Sequence, residues 1–195
     1  GSTTWKYDAA WPAVMTWQYV DWYLIPSGAY YGAKKACEEL HVQYSYDDDS
    51  VCVVNSLYKD FRGLKVTARV LNLDMTVKLE REAVVDVITD GKTEAFTIAW
   101  PEGLSKTHFV YLELRDDSGR MVTDNLYWLS TVPETPSKLS HGEHERFSMS
   151  RDSWADMTGL RKLPRVALEA KASSSTKDGE RVIDVALRNP SEALA

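Results

Sequence analysis

The feature that most constrains the fold is a period of two in the apolar residues of several segments between about residues 41 and 130. The clearest stretch alternates the apolar residues Leu64, Val66, Ala68 and Val70 with Lys65, Thr67 and Arg69. Successive side chains of a β-strand point to opposite faces of the sheet, so this pattern predicts strands with one buried face. About seven such strands, with short connections and no helix between them, predict an immunoglobulin-like β-sandwich and a mainly β protein.

Turn-forming residues separate these predicted strands. They are grouped at Asp47–Ser50, at Asp90 and Gly91, and at Asp116–Gly119. Asp, Asn, Ser and Gly favour turns because they accept local hydrogen bonds or tolerate left-handed backbone angles. We therefore expect two packed antiparallel sheets whose inward-facing residues include Val66, Ala68, Val70, Val110, Leu112 and Leu114.

Aromatic residues crowd the first 31 positions of the chain. They are Trp5, Tyr7, Trp11, Trp17, Tyr19, Trp22, Tyr23, Tyr30 and Tyr31. A packed aromatic side chain buries about 150–250 Å², so a group of this size is costly to leave in water. Either the segment packs on another large surface or it lines a binding site.

Two helices are predicted in this part of the chain. The first begins at Pro12, which suits a first helical position, and carries Ala13, Trp17, Val20 and Leu24 at helical spacing before Pro26. The second places Ala29, Ala33, Ala36, Cys37 and Leu40 on one face.

The composition changes after Trp128. Residues 131–150 carry two prolines, several serines and the charged stretch from His141 to Glu145, which is typical of a linker or exposed loop. Strands are predicted within residues 165–188, around a turn at Ser173–Gly179. Two strands do not bury a core of their own. We expect the start of a second, truncated sandwich there, and hence three regions: residues 1–40, 41–134 and 135–195.

The composition and short motifs exclude several classes of partner and site. A net charge of −6 argues against nucleic acid and anionic membranes, which attract clustered lysine and arginine. No apolar run approaches the roughly 18 residues of a membrane span. His141 and His144 lack a patterned third ligand, so we predict no metal site and no cofactor. Cys37 and Cys52 are expected to be small buried hydrophobes, with pairing as the minor alternative.

Several segments, in this order, resemble the C-terminal part of family 2 glycoside hydrolases, in the branch of exo-β-D-glucosaminidases and β-mannosidases. The segments are Trp5–Pro12 with Trp17, Asp21, Trp22 and Tyr23; residues 31–38, 40–45, 53–56, 63–68, 72–74 and 125–129; and the tail segments 155–164 and 187–190. The resemblance implies that residues 1–40 are the last strand and helices of a (β/α)8 barrel. It favours an extracytoplasmic parent enzyme.

The same resemblance implies a retaining glycosidase acting on β-linked glucosamine or mannose units, with carbohydrate and the rest of the barrel as partners. Such chemistry uses two carboxyl groups about 5–5.5 Å apart. The family places both on earlier barrel strands, so we expect no catalytic residue in this chain.

Trp5 and Asp8 fall at the end of the eighth strand, where the sugar site of such a barrel lies. Trp5 would stack on a sugar ring or pack beneath the barrel. Asp8 would bind a sugar hydroxyl or ammonium group, or cap the helix that follows. Family members more often carry Asn at this position. The alternatives for the whole chain are an independent carbohydrate-binding module and a purely structural one.

Overall fold

The computed structural model describes residues 7–12, 18–137, 151–191 and 193. Within these ranges the chain is mainly β, with one α-helix. The helix α1 spans Gly28–Ala36, and the strands are β1 (Leu40–Tyr44), β2 (Ser50–Asn55), β3 (Phe61–Asn72), β4 (Val77–Val87), β5 (Gly91–Thr97), β6 (Thr107–Arg115), β7 (Met121–Ser130), β8 (Thr135–Pro136), β9 (Arg151–Ser153), β10 (Glu169–Lys177) and β11 (Glu180–Arg188). A 3₁₀ turn covers Thr158–Lys162.

The first seven strands form two sheets, which confirms the predicted immunoglobulin-like sandwich. One sheet has the order β1-β2-β5 and the other the order β4-β3-β6-β7. In the three-stranded sheet both pairings are antiparallel, with Val42 opposite Val53, and a bulge lies between Val51 and Cys52. The pairs β8-β9 and β10-β11 form separate two-stranded sheets.

By its internal contacts the chain divides into two compact units. The first comprises Gly1–Thr67, Glu82–Ile98 and Leu112–Asn125, and the second comprises Ala68–Arg81, Ala99–Tyr111 and Leu126–Ala195. Strands β3, β4, β6 and β7 contribute residues to both units.

Each unit has its own buried apolar side chains. Those of the first unit include Val42, Val51, Val53, Leu64, Val66, Val87, Leu112 and Leu114, and those of the second include Ala68, Val70, Phe109 and Val110. All six residues predicted to face inward are fully buried. The alternation of apolar residues thus identified the core correctly.

Strand β4 buries less than its sequence predicts. Of its apolar residues only Val87 is fully buried, while Val77 is half exposed. The reason is its position at the edge of the four-stranded sheet, because an edge strand is covered by a neighbour on one side alone.

The predicted first helix is wrong for residues 18–24, and residues 13–17 lie outside the described ranges. The Asp21 carboxylate accepts the backbone N–H groups of Tyr23 at 2.8 Å and of Ile25 at 2.9 Å. Leu24 has a positive φ of 61°. An aspartate that bonds the backbone locally favours a turn over a helix, so only the second predicted helix, α1, is seen.

The two cysteines are free, as expected, but only Cys52 is buried. Cys37 is exposed because it follows the last residue of α1, at the end of the helix rather than on its interior face.

The tail forms two strands, as predicted, with a shorter turn. The predicted turn residues Ser173–Lys177 belong to β10 instead. The turn itself is Asp178 and Gly179, with φ of 53° and 84°, the positive angles that close a two-residue hairpin. Every residue of β10 and β11 is exposed, so this ribbon buries no core of its own.

A buried amide ties the end of β2 to two loops in the first unit. The Asn55 side chain is 1% exposed. Its Nδ2 donates to the carbonyls of Lys59 and Ile88, each at 2.8 Å, and its Oδ1 accepts the Leu57 N–H at 3.0 Å. Both N–H groups of Nδ2 and the Oδ1 atom have partners, so the amide stabilises the loops without leaving a buried polar atom unpaired.

In the second unit, the segment after β9 docks on Thr107 at the start of β6. The Thr107 hydroxyl donates to the carbonyl of Asp156 at 2.9 Å, and the Asp156 N–H donates to the Ser130 hydroxyl at 3.0 Å. Gly159 lies so close to Thr107 that a Cβ atom built on it falls 2.9 Å from the Thr107 Cβ. The contact therefore requires a glycine.

We predict that Asn55→Asp lowers the free energy of unfolding by about 1–3 kcal/mol, because a carboxylate cannot donate to the two carbonyls and is buried beside them. Urea unfolding followed by tryptophan fluorescence measures it. The control is Asn189→Asp, at an exposed tail position, where we expect a change within about 0.5 kcal/mol. Equal stability of Asn55→Asp and the unchanged chain would contradict the role given to Asn55.

We also predict that Gly159→Ala destabilises the chain by about 1–3 kcal/mol, since the new methyl group overlaps buried Thr107. Gly32→Ala is the matched control. It lies within α1 with nothing within 4 Å of the added Cβ, and alanine favours a helix over glycine by about 0.8–1 kcal/mol. Thermal unfolding of both variants measures the contrast, and similar melting temperatures would argue against close packing at Gly159.

Candidate functional site

Of the two site residues predicted from sequence, the structure describes Asp8, while Trp5 lies outside the described residues. Asp8 is exposed and pairs with Val20 in a short parallel bridge. The Val20 N–H donates to the carbonyl of Tyr7 at 3.0 Å, and the Ala9 N–H donates to the carbonyl of Val20 at 3.2 Å. The backbone at Asp8 is thus held on both sides while its carboxylate faces solvent.

The alternative role of Asp8 is to cap a helix beginning at Pro12. The described part of that predicted helix, residues 18–24, is not helical. Residues 18–27 instead form an irregular loop in which Val20 also pairs with Pro26. Val20 and Ala9 are the buried apolar residues of this segment, at 7% and 8% exposure. The loop therefore supports the backbone at Asp8 through one small buried contact.

The N-terminal part of the chain, residues 7–31, carries a group of exposed aromatic and aliphatic side chains. We call this group the N-terminal apolar surface. It comprises Tyr7, Trp11, Trp22, Tyr23, Leu24, Ile25 and Tyr31, all more than 40% exposed. Tyr7 also contacts Tyr19 edge to face, with ring centroids 6.4 Å apart. Trp22, Tyr23, Leu24 and Ile25 are four consecutive exposed apolar residues. Single exposed apolar residues are normal, whereas grouped ones indicate an interaction surface.

The described side chains of this segment offer groups suited to binding a polar ligand. An exposed carboxylate accepts hydrogen bonds from sugar hydroxyls and attracts an ammonium group. The carboxylate next along the chain, Asp21, is occupied by two backbone N–H groups. That of Glu38 is paired with the Lys35 ammonium at 3.0 Å. The bonds of Asp21 and Glu38 stabilise the loop and the helix region, and the absence of a catalytic residue from this segment stays a prediction.

Local sequence patterns did not identify the partners of Lys35 and Glu38. The Lys35 Nζ donates to Thr123 Oγ1 at 3.0 Å and to Asp124 Oδ1 at 3.1 Å, both on β7. The partners are 88 and 89 positions away in sequence, and the i,i+3 spacing of Lys35 and Glu38 was the only local signal.

Other predicted features give no second site. The Asp47–Asp49 run is a turn, as expected, in which Asp48 accepts the Ser50 N–H at 3.0 Å. His141 and His144 lie outside the described residues. Within the described part, no group of three or more His, Cys, Asp or Glu residues is placed to hold a metal ion. No helix in that part is long and apolar enough to cross a membrane.

Comparison with known proteins gives matches along nearly the whole chain. Residues 49–132 match the model of the Mannosidase Ig/CBM-like domain. The chain is 39% identical to an exo-β-D-glucosaminidase of Streptomyces avermitilis over 97% of its own length, and 37% identical to one of Amycolatopsis orientalis over 98%. It spans 21% and 18% of these two relatives, about a fifth of their length.

Among solved structures, the chain is also similar to an enzyme in complex with a glucosamine derivative. The fold is similar to that of the exo-chitosanase CsxA of Amycolatopsis orientalis in complex with PNP-β-D-glucosamine, with a TM-score of 0.82 and 36% identity. That match covers 95% of this chain and 22% of the enzyme. A β-D-mannosidase of Dictyoglomus thermophilum matches at a TM-score of 0.50 and 19% identity over 65% of this chain and 16% of that enzyme, which shows a shared fold alone.

Proposed function

Since the chain belongs to the exo-β-D-glucosaminidase and β-mannosidase branch of family 2 glycoside hydrolases, we propose that it is the non-catalytic C-terminal portion of a retaining glycosidase. The parent enzyme acts on β-linked glucosamine or mannose units, and glucosamine is favoured because the related CsxA is solved with PNP-β-D-glucosamine. In this proposal, residues 1–40 end the catalytic barrel, residues 41–134 form the sandwich, and residues 135–195 begin a second one.

The observation that carries the proposal is the extent of the similarity. It covers 97% of the chain, although the matched domain model covers only residues 49–132. The N-terminal segment is therefore similar to the same enzymes as the sandwich is. A free-standing sandwich module would have no reason to keep an irregular aromatic segment of this kind attached to it.

The N-terminal apolar surface supports a large partner for this segment. Trp11, Tyr23 and Leu24 are 64%, 62% and 76% exposed, and burial of one such side chain contributes about 1.5–3 kcal/mol. We propose that the rest of the catalytic barrel covers these residues. Their exposure then reflects an intramolecular interface of the parent enzyme.

In this proposal, the N-terminal segment helps to bind the sugar, and the rest of the barrel cleaves the glycosidic bond. The acid/base and nucleophile carboxyl groups belong to the preceding barrel strands. Trp5 and Asp8 contribute one wall of the sugar site, Trp5 by stacking on the ring and Asp8 by a charge-assisted hydrogen bond. The ammonium group of glucosamine is a suitable partner for an exposed aspartate, whereas a mannose hydroxyl at that position offers a weaker neutral donor.

We predict that purified residues 1–195 do not hydrolyse aryl β-D-glucosaminides or β-D-mannosides, whereas the parent enzyme does. Without both carboxyl groups neither the covalent step nor leaving-group protonation is available. In the parent, Asp8→Ala should lower kcat/KM on the glucosaminide about 10–100-fold, the equivalent of one hydrogen bond to a charged group.

The matched control is Asp152→Ala in the parent, at an exposed aspartate of β9, which should leave kcat/KM unchanged. Turnover by residues 1–195 that survives rigorous purification and is lost when one of its own carboxylates becomes an amide would overturn the proposal. A parent enzyme that cleaves only mannosides would overturn the preference for glucosamine.

A second function, direct carbohydrate binding by the sandwich, is favoured by one observation. Trp128 on β7 and Trp154 after β9, both in the second unit, are 54% and 66% exposed. Exposed indole rings offer flat apolar faces that stack on sugars. The arginine guanidinium of Arg151 lies 5.9 Å from the Trp154 ring centroid.

Titration calorimetry of residues 1–195 with chitosan and mannan oligosaccharides tests this second function. If the sandwich is an accessory part of the enzyme, we expect no saturable heat of binding up to millimolar sugar. Saturable binding that disappears in Trp128→Ala or Trp154→Ala, but persists in Tyr58→Ala at an equally open position (Tyr58 is 95% exposed), would establish a carbohydrate-binding module.

A further inference from the structure

We propose that Lys35 is a positioning residue, which holds the segment carrying Asp8 in place by joining helix α1 to strand β7 of the sandwich. The inference rests on the proposed function only for the statement that Asp8 faces sugar. The link between Lys35 and that segment concerns this chain alone, and all the residues involved belong to the first compact unit.

The Lys35 ammonium is the centre of a closed cluster of four side chains. Its three donors reach Glu38 Oε1 at 3.0 Å, Thr123 Oγ1 at 3.0 Å and Asp124 Oδ1 at 3.1 Å. The Thr123 hydroxyl in turn donates to the second carboxylate oxygen of Glu38. The cluster therefore bonds two residues of the helix region to two residues of β7, and three of its four bonds are made by the Lys35 ammonium.

The cluster is sheltered enough for these bonds to matter. Thr123 is only 6% exposed, and the side chains of Lys35 and Glu38 are about one-third exposed. Partial burial by itself lowers the pKa of Lys35, but hydrogen bonds and the charges of Glu38 and Asp124 outweigh it and raise the pKa. Lys35 is therefore charged at neutral pH, and its removal would take away the ammonium group that both carboxylates contact.

Helix α1 depends on this polar contact because it has no buried residue. An amphipathic helix is normally fixed by burying an apolar face against a core. Here Ala29 of the predicted apolar face is exposed and Ala33 is only partly buried. The four-residue cluster adds a polar side-chain contact between the helix region and β7.

A continuous path of hydrogen bonds leads from this helix to Asp8. Ser27, which precedes α1, donates its N–H to the carbonyl of Tyr19 at 2.8 Å and its hydroxyl to the carbonyl of Gln18 at 3.3 Å. Val20 then pairs with Pro26 on one side and with Asp8 on the other. A shift of the helix against β7 would therefore move the loop at residues 18–27, and with it the backbone of Asp8.

Amide hydrogen exchange of residues 1–195 tests the structural step. In Lys35→Met we expect exchange at Ala9, Val20 and Ser27 to rise at least about tenfold, while exchange in β2 and β5 stays unchanged. Lys34→Met is the matched control, because Lys34 is the neighbouring lysine of the same helix and is exposed. Unchanged exchange at these amides, or an equal rise throughout the first unit, would overturn the inference.

Steady-state kinetics of the parent enzyme tests the positioning step. A loosened binding wall weakens sugar binding more than the chemistry, so Lys35→Met should raise KM for the aryl β-D-glucosaminide about fivefold or more and change kcat less than twofold. Lys35→Arg, which keeps the charge and the donors, should restore most of the effect. Faster exchange at Ala9 and Val20 with an unchanged KM would refute the positioning role.

The two proposals fail in different ways. A parent enzyme without glycosidase activity would refute the proposed function, while the exchange experiment would still decide whether Lys35 holds the segment. Conversely, an active parent whose Lys35→Met variant shows wild-type exchange and KM would refute the positioning role and leave the proposed function intact.

Discussion

The fold depends on the burial of alternate apolar side chains from two sheets. Val53 on β2, Val66 on β3 and Leu112 on β6 are completely inaccessible to solvent, and each such burial contributes about 1.5–3 kcal/mol. Because every second residue of a strand faces the same way, a one-residue slip would turn this whole set outward. The same constraint fixes where the loops and the strand ends must lie, and so where all polar contacts form.

Polar contacts, in contrast, attach the segments that precede and follow the sandwich strands. In the first unit, a lysine, two carboxylates and a threonine join α1 to β7 around Lys35. In the second unit, Thr107 binds the carbonyl of Asp156 beside a closely packed Gly159. Hydrogen bonds are directional and apolar burial is not, so these contacts orient the attached segments in a way that burial alone does not.

This division suits the accessory role proposed for the chain. The N-terminal segment presents Asp8 and exposed aromatic rings next to the sandwich strands of the first unit. The segment has little core of its own beyond Ala9 and Val20, and its exposed rings have the character of one side of an interface. In the proposed parent enzyme, this segment would contribute to the sugar site while the catalytic carboxylates lie on other barrel strands.

By itself, the sequence determined the seven strands of the sandwich, the turn at Asp116–Gly119 and the six predicted core residues, because these follow from a period of two and from local turn chemistry. The helix predicted from sequence over residues 18–24 was wrong, because the hydrogen bonds from the backbone to Asp21 favour a turn there. Only the tertiary structure decided the pairing of Val20 with Asp8, the exposure of Cys37 and the contact of Lys35 with Thr123. These join residues far apart in the chain, or depend on what covers a surface, and neither is recorded in local sequence patterns.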